Sequence, residues 1–444
     1  MFPKWTWAML ASADGAASGP LMTCRRARGP MTEKRERSMT SLTWDLLRRA
    51  TTAGGPSVLV STTALAPAGG PQASVAPARY VSGRPGSDTA TYAYEVRFID
   101  GEPRHVVILD SKQSQLNRAE SALQHAIWDG VDPLVRVPQV RVTYTRDGVD
   151  EVYTDLTLPH RAYDGHVRAG TVQGVPTTQT ETYRAARDAT PANARALLEF
   201  SPITLVYGGW DATRRSRQGR WRSALVGEIV GVVADEAADQ RHQPLRGGAR
   251  VDPVAMQVQL SRDALIALAT AQEDELSPAL YKKIVNAAKK SDSATSGSTL
   301  GLGGIPPTLN QLAGVACSQI IRTHVLSLAT LRQIRFGAGP DGDAACRALL
   351  AALALNGLAR SDAELFLRAN CDLVEMSPTT VTIDRRGGDH EALKPLTIPE
   401  ADALLASAID AASREAGIDW HGQVFAVTGN PDIISSAVDA TEEA

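Results

Sequence analysis

Aromatic residues make up only 5% of this 444-residue chain, and cysteine occurs four times. Cys24, Cys317, Cys346 and Cys371 show no Cys-x-x-Cys spacing and no paired histidines, which excludes the common zinc modules and a disulfide frame. Four scattered thiols fit a reducing cytoplasm, the location expected for the chain. No window holds ~18 uninterrupted apolar residues, so no membrane segment is expected. Gly-x-Ser-x-Gly, His-Glu-x-x-His and paired-carboxylate motifs are missing. Without a catalytic constellation the expectation is a non-enzymatic protein with no cofactor and no metal.

What is present is an uneven charge. From Pro340 onward 18 acidic residues face 7 basic ones, a net of −11, and the rest of the chain carries +8 within an overall −3. Ordinary variation between solvated faces accounts for a split of that size, yet it leaves room for a local basic track. Residues 1–40 read as a disordered basic extension, with Met31 or Met39 as the working start. Their apolar stretch, Trp5 to Leu10, is shorter than the ~7–15 residues of an export signal.

Along the chain, His105 to Leu109 is a strand-length apolar run, and Gln113 to Trp128 repeats apolar residues at helical spacing. Residues 53–90 read as irregular, with Ser57 to Thr62 an edge strand. Pro138 to Tyr144 and Glu151 to Leu156 flank an Asp147-Gly148 turn, a hairpin signal. Ile203 to Tyr207 reads as a strand buried on both faces. Trp221, Leu225, Ile229 and Val232 lie on one helical face, with Gly227 and Gly231 weakening it. Val254 to Leu260 and Ile321 to Leu326 alternate as strands. Ala344 to Leu355 reads as a core helix, and Thr397 to Glu400 as a capping box. This mixture predicts an α+β fold.

Three stretches carry candidate chemistry. Asp110-Ser111-Lys112-Gln113-Ser114-Gln115 opens a helix directly after a strand, where free N–H groups, hydroxyls and a lysine suit a phosphate; Asn117 and Arg118 extend that surface. A capped helix start with a solvated face explains the same residues. Arg214, Arg215, Arg217, Arg220 and Arg222 crowd a segment bracketed by Trp210 and Trp221, with Asp211 as its one acid. Guanidinium groups beside aromatic faces suit single-stranded nucleic acid, and a basic loop over two core tryptophans is the alternative. His160 to His166 has no established zinc spacing and reads as a polar helix face.

Taken together, Asp110-Ser111-Lys112-Gln113-Ser114-Gln115-Leu116-Asn117-Arg118-Ala119-Glu120, Leu158 to Arg161, Phe200 to Asp211, Arg222 to Gly231, Leu331 to Phe336 and Arg368 to Val374 occur in one order. This series resembles the backbone subunit of type I-U (I-G) CRISPR surveillance complexes, in the Cas-seven branch of the RAMP superfamily. The resemblance spans roughly residues 75–375. Leu116 and Ala212 depart from the family's usual Ala and Ser, and Ala76 to Tyr80 matches only in part.

The resemblance implies a ferredoxin-like (RRM-type) RAMP core with large insertions over residues 41–380. The acidic C-terminal helical segment, residues 381–444, would pack on it. It also implies a Cascade-like subunit that stacks head to tail along CRISPR RNA and presents the guide to target DNA. Its further partners would be a guide-processing cap subunit, a large subunit and a helicase-nuclease. Ser111, Lys112, Gln115, Asn117, Arg118, His160, Arg161, Trp210, Arg214, Arg215, Arg217, Arg220, Arg222, Arg322 and His324 become the expected RNA contacts. Residues 144–152 or 291–307 would form the thumb. An RNA-cleaving relative using Asp110 or Asp211, or a stand-alone RNA-binding module, are the alternatives.

Overall fold

The computed structural model describes residues 39–81, 90–146, 148–234, 245–248, 258–290, 294–303 and 308–435. The expected extension up to residue 38, Asp147, Val254, Met256 and parts of the 291–307 loop lie outside the described residues.

Thr43 caps a short helix α1 (Trp44–Ala50), its hydroxyl accepting the Leu46 N–H. Strand β1 (Val58–Pro67) follows, then a hairpin of β2 (Tyr94–Ile99) and β3 (Glu102–Asp110). Ser111 caps α2 (Lys112–Trp128). A second hairpin pairs β4 (Gln139–Arg146) with β5 (Val149–Thr154). The chain continues through helix α3 (Pro202–Tyr207) to β6 (Leu225–Val233). Helices α4 (Arg262–Thr270) and α5 (Pro278–Lys290) come next, then β7 (Cys317–Ser327). Helix α6 (Gly339–Ala363), β8 (Thr380–Asp384), β9 (His390–Leu393), α7 (Ile398–Ala416) and β10 (Val424–Thr428) complete the described path.

The main sheet has eight strands in the order β9-β8-β1-β7-β6-β3-β2, with Leu373–Glu375 as the eighth, added beside the end of β1. Every pairing is antiparallel. Within it, β1-α2-β6-β7-α6-β8 runs as a β-α-β-β-α-β path whose spatial order is β8-β1-β7-β6. The fold is thus α+β, and the two crossover helices lie on one face. Alternate residues of β1, Leu59, Ser61, Thr63 and Leu65, are buried, and Leu59 packs in one core with both helices. Helix α2 offers Leu116, Ala119, Leu123 and Ala126 at helical spacing.

Helix α6 extends well past the expected Ala344–Leu355. Its 25 residues are long and apolar enough to cross a membrane by composition, but 94% of the most apolar window is buried inside the protein. Packed against it is α7, opened by the anticipated capping box of Thr397 and Glu400. The segment after residue 381 is not helix alone, since β9 extends the main sheet. Its last strand, β10, lies parallel to β4 in a second, five-stranded sheet.

Several expectations need correction. Ser57 to Thr62 is no edge; β1 sits between β7 and β8. Ile203 to Tyr207 is helical, not a strand, because an all-apolar run this short carries no period to separate the two, and Pro202 fits a first helical turn. Leu225 to Val233 is a strand rather than a helix. Leu225, Gly227, Ile229, Gly231 and Val233 share one face at period two, and the glycines make room for β7: Gly227 lies opposite His324 in register. A Cβ at Gly227 would run into the His324 ring. Gly227→Ala should therefore cost about 1–3 kcal/mol of stability through overpacking, read as a lower denaturant midpoint.

Candidate nucleic-acid interface

The strand-to-helix turn at Asp110 is where the sheet meets α2. The Asp110 side chain is fully buried. Arg118 donates to both of its oxygens, Nε to Oδ2 at 3.0 Å and Nη2 to Oδ1 at 3.1 Å. Arg368 donates to Oδ1 at 2.5 Å and Gln115 Nε2 to Oδ2 at 2.6 Å. Burial pushes the carboxyl up, but these hydrogen bonds outweigh it and hold Asp110 below the usual range. The network continues inward. Gln115 Oε1 meets His324 Nε2 at 3.0 Å, and burial pushes that imidazole down to about 3, with Arg322 reinforcing the shift. Arg322, 1% exposed, donates to Thr63 and to Glu375 at 2.7 Å and lies 3.4 Å from Asp362.

This corrects part of the expected contact set. Gln115, Arg322 and His324 are buried under the helices and cannot line a surface channel as placed. Arg118 is spent on Asp110. Arg161 is spent as well: it forms a two-pronged pair with buried Glu120 (Nε–Oε1 2.5 Å, Nη2–Oε2 2.7 Å) and donates to the Gly208 carbonyl. Ser111 serves as the α2 cap. Lys112, Asn117 and His160 remain exposed. Lys112 stands 4.0 Å from Glu228, which Arg97 already clasps. In the His160 to His166 run, the Asp164 carboxylate accepts the backbone N–H groups of His160 and His166, and His166 Nδ1 meets the Tyr144 hydroxyl. Neither aspartate suggested for RNA cleavage is presented to solvent, for Asp211 is buried too.

The arginine-rich segment folds differently from that network. Gly209–Trp210 pairs with Arg220–Trp221 as a small hairpin. Its base rests on buried Tyr163: Trp221 Nε1 donates to the Tyr163 hydroxyl at 2.7 Å, and Gly219 lies against the same ring with no room for a Cβ. The loop is tied internally. Asp211 N–H donates to the Gly219 carbonyl, Gln218 to the Ala212 and Arg214 carbonyls, and Arg214 to the Arg217 carbonyl. Arg214 also pairs with Asp188 at 2.7 Å. Arg215, Arg217, Arg220 and Arg222 are left exposed. Trp210 is not in the core; it is 49% exposed with the Arg220 guanidinium 5.1 Å from its ring centroid. Its partner Trp221 is buried, so the two tryptophans have opposite roles.

The geometry thus gathers the hairpin arginines with Trp210, and the hydrogen bonds of the Asp110 network run through other residues. Arg368 and Glu120 are the participants that residue chemistry alone missed. Their signal was available in the ordered motifs, since Arg368 and Glu120 each belong to one, but nothing in the spacing told which residue they meet. Asp110 adds stability that is present above about pH 4 and is lost as pH falls through its lowered folded value. Arg118→Met should lower stability at neutral pH by about 3 kcal/mol, the cost of removing one partner of a buried charge. In unfolding titrations the gap to the unmodified chain should narrow below pH 4.

Residues 59–236 match the family model described as CRISPR-associated protein GSU0053. No curated protein matches the chain. The matched stretch runs from β1 through β6 and holds α2, Asp110, Arg118 and the whole arginine hairpin. Across those residues the match shows a CRISPR-associated protein family.

Proposed function

We propose that the chain is the backbone subunit of a type I CRISPR surveillance complex of the I-U/I-G kind, oligomerising along CRISPR RNA and presenting the guide to target DNA. The observation that carries this reading is the preorganised hairpin. It places four exposed arginines beside a half-exposed tryptophan within the stretch similar to a CRISPR-associated family. Such a surface holds phosphates by charge and an unstacked base by its flat face, without reading sequence. The β-α-β-β-α-β path suits a ferredoxin-like core. Head-to-tail stacking needs unlike faces on one subunit, so contacts propagate rather than close.

In this reading the subunit is non-enzymatic and cytoplasmic, works beside a cap subunit, a large subunit and a helicase-nuclease, and leaves specificity to base pairing. The thumb falls to the insertion between β6 and β7, which contains residues 291–307. The competing segment, residues 144–152, is paired as the β4–β5 hairpin and anchored by buried Tyr144. Of the expected contacts, Lys112, Asn117, His160, Trp210, Arg215, Arg217, Arg220 and Arg222 remain in the proposal.

Two measurements test it. Arg215, Arg217 and Arg220 replaced together by Ala should weaken guide RNA binding and flatten its logarithmic salt dependence by about 2, at ~0.7 per single-strand phosphate. Trp210→Ala should cost about 1–3 kcal/mol of RNA affinity. Unchanged affinity and slope in the triple variant, or a protein that stays monomeric on a long guide in size-exclusion chromatography, would overturn the reading.

A further inference from the structure

The one acid of the arginine hairpin, Asp211, stands apart from the other buried carboxylates of the described residues. Asp110 is matched by Arg118, Arg368 and Gln115, and Glu120 by Arg161. Asp155 accepts from Ser201 and the Val140 N–H, Asp164 from the N–H groups of His160 and His166, and Asp343 from those of Phe336 and Ala338. Asp211 is 2% exposed, and neither of its oxygens has a hydrogen-bond partner among the described residues. Leaving a buried carboxylate in that state is costly, so its lone pairs must be satisfied by other means.

Its surroundings are polar and equally unmatched. The Tyr183 hydroxyl, in the short helix Glu181–Arg187, is buried without a partner, and so is Arg168 Nε, in the helical turn Gly165–Ala169. These groups share one environment. Burial pushes the Tyr183 phenol up and the Asp211 charge adds to that, while Arg168 and Arg187 oppose it. Arg187 lies over the Tyr183 ring, 5.8 Å from its centroid, and Arg168 donates to Thr213, two residues past Asp211. An acceptor and two donors that complement but do not bond one another are the groups that ordered water joins. A metal ion is poorly matched. Two guanidinium groups stand beside the one carboxylate, and nearby Asp188 already pairs with Arg214 and Arg187.

The place of Asp211 in the chain gives this its consequence. It opens the loop that follows Gly209–Trp210, and its N–H closes that loop on the Gly219 carbonyl. The hairpin is fastened to the same underlying segment, residues 163–188, at three further points: Trp221 on Tyr163, Thr213 on Arg168 and Arg214 on Asp188. Arg215, Arg217 and Arg220 are exposed on the loop so held.

We infer that Asp211 is a positioning residue whose buried carboxylate, joined through ordered water to the Tyr183 hydroxyl and Arg168, seats the loop so that its arginines meet RNA phosphates already ordered. This rests on the proposed guide-holding role of the hairpin and adds to it a residue that never touches RNA.

The test uses the full chain and a fluorescent single-stranded RNA, titrated by anisotropy at salt concentrations from about 50 to about 200 mM. Asp211→Leu removes the charge and its acceptors and should weaken RNA binding about tenfold, because the arginines must then be ordered on binding. Its logarithmic salt slope should not change, since every arginine is still present. Asp211→Asn keeps one acceptor oxygen and should cost only about threefold. Arg168→Met should reproduce the Leu defect, and the two together should be little worse than either, as for members of one network. With Arg215, Arg217 and Arg220 replaced by Ala, Asp211→Leu should have no further effect. A crystal structure should place ordered water within about 3 Å of an Asp211 oxygen; a direct Asp211–Arg168 pair would overturn the bridge. The inference fails if Asp211→Asn raises the denaturant midpoint and leaves RNA affinity unchanged, the behaviour of an unmatched charge. It fails equally if the Leu defect persists without the three arginines. Should Asp211→Leu not fold, Asp211→Asn combined with Arg168→Met carries the same comparison. Failure of the guide-holding role itself would show in the triple arginine variant, whatever stands at Asp211.

Discussion

A single buried carboxylate, Asp110, sets the geometry on which the other elements depend. Taking that charge out of water costs several kcal/mol unless it is paired and hydrogen-bonded. Here Arg118 comes from the second turn of α2, Arg368 from the segment after α6, and Gln115 from the first turn of α2. One charge therefore ties the end of β3 to α2 and to the chain leaving α6. Gln115 passes the constraint on to His324 of β7, and His324 in turn requires the absence of a side chain at Gly227 of β6. Sheet register, helix placement and the start of α2 are coupled through one polar chain, and a partly satisfied version would be worse than an apolar core.

That coupling changes the meaning of the residues around it. The run from Asp110 to Arg118 has the composition of a phosphate-binding helix start, and its chemistry would serve for one. In the fold, however, Arg118 and Gln115 turn inward and Ser111 caps the helix, leaving Lys112 and Asn117 outside. The charge asymmetry is reinterpreted in the same way. Acidic α7 is fastened to the basic remainder by Arg136–Asp410 and Arg48–Glu415, and by Arg195 donating to the carbonyls of Ala416 and Gly417. The split between a basic body and an acidic end is in large part intramolecular complementarity, so net charge by region overstates what either part offers a partner.

How much could be read in advance follows from how local each signal is. The α2 helix, the capping box at Thr397 and the β4–β5 hairpin were legible, because period, cap and turn residues sit within a few positions of one another. The strand nature of Leu225 to Val233 was not. Trp221, Leu225, Ile229 and Val232 imitate a helical face, and what decides the matter is His324, almost a hundred residues away. Trp210 and Trp221 look equivalent as brackets of an arginine cluster. Only the Tyr163 hydroxyl, bound to Trp221, reveals which ring is anchored and which is left to meet Arg220. The burial of Arg322 was equally hidden, since its partners Glu375, Asp362 and Thr63 come from three distant segments.

The chain's own use of the two cations separates structure from surface. Several buried or half-buried carboxylates take arginine as their partner: Arg118 and Arg368 on Asp110, Arg161 on Glu120, Arg360 on both oxygens of Asp402. A planar fork satisfies two lone pairs at once and so offsets desolvation in a way one ammonium does not. The same planarity lets Arg220 lie over Trp210. Among the described residues, each of the lysines is exposed, at Lys112, on α5 and at Lys394. With arginine available in such excess, a helix face built of lysine alone has no planar partner to satisfy and no buried acid to neutralise. Its charge is left free to act on whatever approaches from solution.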